Sequence, residues 1–166
     1  MPGNRTYNEY FWGVVVLVAA TLTLVSVMPA WRWIWNPEPF AETYPVTVES
    51  FLTRMDAMVA RHGTGELLEN TPVVHPPPGD IFLCAQRFRF FPMLELEVGH
   101  TYRLHVTTID VVHGVYFPLT ERNLLLLPGY AVVMTLKPVA AGHYVMQCSE
   151  YCGLDHSRMK GWVLVR

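Results

Sequence analysis

Residues 94–106 read LELEVGHTYRLHV, and apolar side chains alternate with polar ones on both sides of the glycine. In LELEV the leucines and the valine are separated by glutamates, and in YRLHV the apolar positions are separated by arginine and histidine. A period of two is typical of a strand that is buried on one face and solvated on the other. The stretch therefore predicts two half-buried β-strands.

More short strands are predicted on either side of this stretch, in a region that begins at residue 80. Pro128-Gly129 and the segment 138–142 supply turns between them. The predicted strands lie at residues 81–84, 109–117, 131–136, 143–148 and 161–165. Short strands at close spacing predict an all-β antiparallel sandwich or barrel, which we place at residues 80–166.

Residues 36–79 are predicted to be a linker that contains one short amphipathic helix. Prolines open this segment, and a Pro-Pro-Pro-Gly run closes it. Gly63 suits the end of the helix. Apolar residues recur at helical spacing at Phe51, Leu52, Met55, Met58 and Val59. We expect this helix to pack on the β domain or on a partner.

A membrane span is predicted at residues 11–35, after a cytoplasmic arm at 1–10. No charged residue occurs from Tyr10 to Trp31, a length sufficient to cross a hydrocarbon core of roughly 30 Å. Tryptophans lie at both ends, as is typical of membrane interfaces. A cleaved secretory signal is the alternative, but the apolar run is long and no clean A-x-A site follows it. The domain at 80–166 is then expected on the outer side.

Composition narrows the possible functions. The 166 residues include 12 Lys and Arg against 14 Asp and Glu, a net charge of −2. This balance provides no basic face for nucleic acid. With 51% hydrophobic and 16% charged residues, the chain is not disordered. The three cysteines are too few and too unevenly spaced for a disulfide framework.

Residues 148–159 read CSEYCGLDHSRM and concentrate the chemistry of the chain. Two thiols, an imidazole and a thioether fall within one short segment, and such soft ligands beside imidazole favour copper over hard cations. A second imidazole would have to come from elsewhere. His113, in the segment DVVHG, is the best candidate.

Four interpretations of this segment stay open at this point. Cys148 and Cys152 could form a disulfide. Two cysteines and two histidines could hold zinc, although zinc gains little from a methionine. One cysteine, two histidines and a weak methionine would suit a mononuclear blue-copper site, which would leave the second thiol idle. Two thiolates could instead bridge two copper ions, with one histidine completing each.

The motif C-S-E-Y-C-G-x-x-H-x-x-M, preceded by D-V-V-H-G, resembles the dinuclear CuA site of cytochrome c oxidase subunit II. The resemblance extends more loosely over residues 80–166 and includes the single N-terminal span. It implies a cupredoxin-like Greek-key barrel or sandwich. A single span after a short arm is similar to the B-type (ba-type) branch of that family.

The resemblance also implies a set of metal ligands. The set consists of two bridging thiolates, two imidazoles, a thioether and a main-chain carbonyl, from Cys148, Cys152, His113, His156, Met159 and Glu150. The Glu150 carboxylate resembles a ligand for Mg²⁺ shared with subunit I. Asp110 is a candidate hydrogen-bond acceptor near the ligands, or a turn cap. Cys84 is expected to be a small buried hydrophobe outside the site.

Two further roles follow from the resemblance. Family members carry aromatic residues over the copper site, and here the candidates for electron entry are Phe88, Phe90 and Tyr116. Glu9, three residues before Trp12, resembles the glutamate at the cytoplasmic mouth of a proton channel, the K channel. A solvated position at a helix end is the alternative for Glu9.

The function implied is electron entry into a membrane haem-copper terminal oxidase. Electrons would come from cytochrome c to CuA and pass to haem in subunit I for O₂ reduction coupled to proton pumping. The location implied is the cell membrane of a prokaryote, with the copper domain on the periplasmic side. The alternatives are the CuA subunit of a related nitric oxide reductase and a membrane-anchored copper-binding or assembly protein.

Overall fold

The computed structural model describes residues 3–35 and 41–166, with side chains from residue 7 in the first range. The chain forms two compact units, 1–39 and 40–166. In the first unit, helix α1 runs from Gly3 to Trp35 and confirms the predicted N-terminal helix. Its segment Tyr7–Trp35 has a mean hydropathy of 2.3 and is long and apolar enough to cross a membrane.

The second unit is built from strands and one helix, α2. In chain order the elements are β1 Glu42–Pro45, α2 Val48–His62, β2 Gly63–Leu68, β3 Thr71–Val74, β4 Gly79–Gln86, β5 Arg89–Phe91, β6 Met93–Leu96, β7 Tyr102–Thr108, β8 His113–Phe117, β9 Arg122–Leu126, β10 Tyr130–Leu136, β11 Gly142–Gln147 and β12 Lys160–Val165. A 3₁₀ turn at His156–Arg158 precedes the last strand.

These strands form two sheets with a shared core. The five-stranded sheet has the order β1-β10-β7-β4-β5, and the seven-stranded sheet has the order β2-β3-β6-β12-β11-β8-β9. Apolar side chains from both sheets meet in one buried cluster, to which Leu83, Leu104 and Met134 contribute from the first sheet and Leu94, Val115 and Val163 from the second. The alternating pattern at 94–106 thus corresponds to strands β6 and β7, which confirms the prediction of strands there. The strands are more than half-buried, because Glu95 and His105, expected on a solvated face, are buried as well.

The pairing differs from the purely antiparallel arrangement expected from the sequence. Strand β4 pairs with β7 in parallel, and β6 is parallel to both β3 and β12. A period of two reports which face of a strand is buried and carries no information about the direction of its neighbour. The parallel direction of these strand pairs could therefore not be predicted from the sequence.

The segment predicted as a linker, residues 36–79, contributes to both sheets. Strand β1 pairs with β10, and β3 pairs with β6 through Val73 and Val74. These strands are only four residues long, too short to show an alternating pattern. Strand β9 was not predicted either, because its run of leucines has no polar residue between them.

Helix α2 confirms the amphipathic helix predicted between residues 51 and 63. The Thr47 side chain accepts a hydrogen bond from the Ser50 N–H at 3.3 Å, an N-cap that begins the helix. Phe51 is buried and lies edge-to-face against Phe82, with ring centroids 5.5 Å apart. Of the two expected surroundings, the helix therefore packs on its own β domain.

Cys84 is buried beneath this helix, as predicted. It belongs to a small apolar cluster with Phe51, Met55 and Ala131. Burial raises the pKa of the Cys84 thiol from 9.0 to about 12, because the charged thiolate would lose its hydration. The nearby Asp110 carboxylate acts in the same direction.

The raised pKa of Cys84 predicts a loss of stability at alkaline pH. The unfolded thiol ionises above pH 9 and the folded one only near pH 12, so unfolding releases a proton in this window. The free energy of unfolding should therefore fall as the pH rises, by up to about 1.4 kcal/mol per pH unit. Urea unfolding of the reduced, metal-free domain at pH 7.5 and 10.5 measures this. In Cys84→Ala the free energy of unfolding should fall less over this pH range than in wild type. An equal fall in the two proteins would contradict the prediction.

Candidate metal centre

The candidate metal centre lies where the ends of three neighbouring strands meet in the seven-stranded sheet. His113 is the first residue of β8, and Cys148 directly follows the last residue of β11. The chain then forms a loop at residues 148–159, which we name the ligand loop, and continues into β12. Because β11 pairs with both β8 and β12, the sheet brings His113 to the two ends of the ligand loop.

The two thiols occupy the middle of the site, and each has an imidazole beside it. The Sγ atoms of Cys148 and Cys152 are 3.8 Å apart. The Nδ1 atom of His113 lies 3.6 Å from the Cys148 sulfur, and the Nδ1 atom of His156 lies 3.7 Å from the Cys152 sulfur. Both thiols are free, and their separation exceeds the roughly 2 Å of a disulfide.

The remaining two predicted donors also reach the thiols. The Sδ atom of Met159 lies 3.8 Å from the Cys152 sulfur, and the Glu150 carbonyl oxygen lies 3.3 Å from the Cys148 sulfur. His113 and Met159 are completely buried, and both cysteines are buried. The structure thus brings all six predicted donors together, while their role as ligands stays a prediction.

Soft, buried donors of this kind fit copper. Burial, together with the neighbouring Cys148 thiol, raises the pKa of the Cys152 thiol to about 11. The thiol is therefore neutral in the metal-free protein at pH 7, and a cation that binds there must displace a proton. Two thiols, two imidazoles and a thioether are the donor types that bind copper well.

Asp110 fixes the orientation of the His113 ring. Its Oδ1 atom lies 2.9 Å from His113 Nε2 and accepts the Val111 N–H at 2.7 Å, while its Oδ2 atom accepts the Arg87 N–H at 2.8 Å. Burial opposes the charge on Asp110, but the donors from Arg87, Val111 and His113 outweigh it and lower the pKa of this carboxyl. An ionised Asp110 holds the proton of His113 on Nε2 and leaves Nδ1 to face Cys148. Both roles considered for Asp110, acceptor and turn cap, are therefore present.

Gly114 allows the ligand loop to lie directly on strand β8. A Cβ atom at this position would be 2.1 Å from the Ser149 hydroxyl and 3.0 Å from the Glu150 nitrogen. The Ser149 N–H donates to the Gly114 carbonyl at 3.3 Å, and its hydroxyl donates to the Asn123 side chain at 2.6 Å. Gly114 and Asn123 were not predicted from the sequence, although the glycine directly after His113 was a visible signal for a close approach.

The three candidates for electron entry differ in exposure. Phe88 is half-buried and packs on Gly153, whose φ of +139° favours glycine and where an added Cβ atom would lie 3.0 Å from the ring. Tyr116 is 40% exposed. Phe90 is fully buried in the core between the sheets, so its ring is not available to a docking partner, and this candidate is corrected.

Two exposed residues of the ligand loop were missed as candidates for electron entry. Tyr151 is 76% exposed and lies edge-to-face against the His156 ring, with centroids 5.9 Å apart. Leu154 is 94% exposed. Both lie between predicted ligands, and their apolar character within that loop was the signal that could have identified them.

Two carboxylates with proposed roles are exposed. The Glu150 side chain is exposed, although its carbonyl faces the thiol of Cys148. Glu9 is exposed on α1, and so is Trp12. The Mg²⁺ role of Glu150 and the proton-entry role of Glu9 stay predictions.

The family model and the curated relatives that match this chain point to the same family. The family model for the periplasmic domain of cytochrome c oxidase subunit II matches residues 91–165. Cytochrome c oxidase subunit 2 of Thermus thermophilus is 30% identical over 87 residues, which cover 52% of this chain and 64% of that protein. The alternative cytochrome c oxidase subunit 2 of Bradyrhizobium diazoefficiens is 28% identical over 72 residues, 43% of this chain and 26% of that protein. The matches therefore span less than two thirds of these relatives.

A solved structure shows the same fold over nearly the whole chain. A chain in the cryo-EM structure of a heme-copper terminal oxidase dimer superposes with a TM-score of 0.56, over 95% of this chain and 99% of that chain. Their sequences are 24% identical, so this likeness concerns the fold. The predicted fold class, a cupredoxin-like β domain with one N-terminal helix, is confirmed.

Proposed function

We propose that this chain, which the family model for the periplasmic domain of cytochrome c oxidase subunit II matches over residues 91–165, is the electron-entry subunit of a membrane haem-copper oxidase. The observation that supports the proposal most is the grouping of the donors around two buried thiols. Two thiols 3.8 Å apart, each with an imidazole beside it, are arranged as a dinuclear copper centre requires. The fold and the family match support the same function.

The six donors would hold the two copper ions. Cys148 and Cys152 would bridge them, and His113, His156, Met159 and the Glu150 carbonyl would complete the set. A dinuclear copper centre, when bound, supplies a site that accepts and releases one electron with little change in its bond lengths. A mononuclear blue-copper site would leave Cys152 without a role, although it is buried beside Cys148.

The protein's own residues contribute rigidity and exclude water. His113 and Met159 are fully buried, so water has little access to the donors. Asp110 prevents rotation of the His113 ring, and the Cys148 N–H donates to the Met159 carbonyl at 3.1 Å, which joins the two ends of the ligand loop. Ligands held in this way need little rearrangement when the charge of the site changes. The burial of His113, Met159 and both cysteines also opposes a role in copper delivery, which requires ligands that release the metal.

The remaining parts of the proposal concern partners and location. Helix α1 would anchor the chain as a single span in a prokaryotic cell membrane, with the copper domain on the periplasmic side. Tyr151, Leu154 and Tyr116 would receive a cytochrome c, and their apolar character suits docking without strong charge steering. Subunit I would receive the electron and could share a Mg²⁺ ion with Glu150. O₂ reduction and proton pumping would occur in the assembled oxidase.

An EPR spectrum of the copper-loaded full chain in detergent, with copper counted per chain, tests this function. We expect two copper ions per chain and one unpaired electron whose hyperfine splitting involves both nuclei. Turnover with reduced cytochrome c and O₂ in the assembled complex tests the wider role. A single copper per chain with a signal localised on one ion would contradict the dinuclear assignment.

A further inference from the structure

The turn between β4 and β5 contacts the ligand loop through Arg87. The Nε–H of Arg87 donates to the carbonyl oxygen of Cys152 at 3.0 Å. The next residue, Phe88, packs on Gly153, which follows Cys152 in the ligand loop. Two consecutive residues of this turn therefore hold the same peptide unit, which joins Cys152 to Gly153.

Arg87 also reaches the opposite side of the site through its main chain. Its backbone N–H donates to Asp110 Oδ2 at 2.8 Å, and Asp110 Oδ1 lies 2.9 Å from the Nε2 atom of His113. One residue is thus bonded to Cys152 through its side chain and to the support of His113 through its backbone. Cys152 and His113 come from different parts of the chain. Arg87, which is not itself a proposed ligand, connects them.

We propose that Arg87 is a positioning residue for the metal centre, which holds the Cys152 side of the ligand loop at a fixed distance from the His113 side. This inference rests on the proposed function, because its consequence is exerted on bound copper. Groups that support metal ligands from outside typically contribute 10–100-fold to metal affinity. Arg87 should therefore slow the loss of copper and affect the reduction potential of the centre.

The position of the Cys152 peptide explains why this support matters. Tyr151 and Leu154, on either side of this peptide, have exposed side chains, whereas Cys152 itself is buried. Gly153 has a φ of +139° and adds no side chain to the packing. The bond from Arg87 and the ring of Phe88 tie this peptide to the β4–β5 turn.

The experiment compares Arg87→Met with Arg89→Met in the full chain in detergent. Both substitutions remove one positive charge from the β4–β5 hairpin, but the Arg89 guanidinium lies over the Phe91 ring, 5.6 Å from its centroid. We expect Arg87→Met to lose copper to a chelator about 10–100-fold faster than wild type and to shift the reduction potential. Arg89→Met should behave as wild type, and Arg87→Lys, which keeps a donor, should recover part of the difference. Equal effects of the two Met variants would show a general charge effect and overturn the proposal.

A measurement on the metal-free chain separates this proposal from the proposed function. Amide hydrogen exchange of residues 149–156 should be faster in Arg87→Met than in Arg89→Met, because the Cys152 carbonyl loses its donor. If wild type fails to bind two copper ions while this difference is present, the proposed function fails and the positioning role stands. Unchanged exchange in Arg87→Met would overturn the positioning role whatever the copper content.

Discussion

Replacing Cys152 with serine is expected to reduce the copper content from two ions per chain to at most one. A hydroxyl is a hard donor that stays protonated near neutral pH, so it cannot replace a bridging thiolate. The second histidine of the site, His156, would then face no sulfur, since its Nδ1 atom lies 3.7 Å from the Cys152 sulfur. Electron transfer from cytochrome c should fall by at least about 100-fold, more than for loss of a supporting residue.

Cys84→Ser is the matched control for this substitution. It makes the same chemical change in a buried cysteine that lies in the separate cluster under α2. Copper counting, EPR and stopped-flow electron uptake should therefore give wild-type values in Cys84→Ser. Retention of two copper ions with a shared electron in Cys152→Ser would show that Cys152 is not a bridging ligand.

Gly114→Ala should disrupt the site without replacing any proposed ligand. The new Cβ atom would lie 2.1 Å from the Ser149 hydroxyl and 2.9 Å from Cγ of Glu150, so the ligand loop must move away from strand β8. Overpacking of this kind typically costs about 1–3 kcal/mol in the free energy of unfolding. We also expect weaker copper binding, because Cys148 directly precedes the displaced Ser149.

Two comparisons identify the cause of this effect. Gly13→Ala should leave stability and copper content unchanged, because a Cβ atom at Gly13 meets nothing within 4 Å. Adding Ser149→Ala to Gly114→Ala removes the closest clash and should restore part of the copper binding. Urea unfolding and copper titration measure both effects. Normal copper binding in Gly114→Ala would contradict the close approach.

The sequence was sufficient to predict the metal donors but not the residues that hold those donors in place. The spacing from Cys148 to Met159 is local, so a single segment displays the motif. The bond from Arg87 to Cys152 joins residues 65 positions apart, and the bond from Ser149 to Asn123 joins residues 26 positions apart. No pattern along the chain reports such pairs, because they form only when the sheets bring the turns together.

The roles of the aromatic residues depended on where strand β5 begins, which the sequence pattern did not show. In the run RFRFF, Phe88 lies in the turn before β5 and reaches the ligand loop, whereas Phe90 lies within β5 and points into the core. Two residues apart, Phe88 and Phe90 would share one face of a continuous strand, but β5 begins only at Arg89, so Phe88 does not follow the alternation of the strand. Composition alone therefore could not separate a ring that covers the site from a ring that fills the interior.

The parallel pairing of β6 with β12 has a consequence for how the protein is made. Because Leu94 pairs with Val163, the seven-stranded sheet is complete only after β12 has been synthesised. Pairings between distant parts of a chain make folding slow and leave incomplete chains exposed. His113 is thus synthesised well before the loop that completes its site. We expect copper to be inserted after synthesis of the chain, into a domain that is already folded.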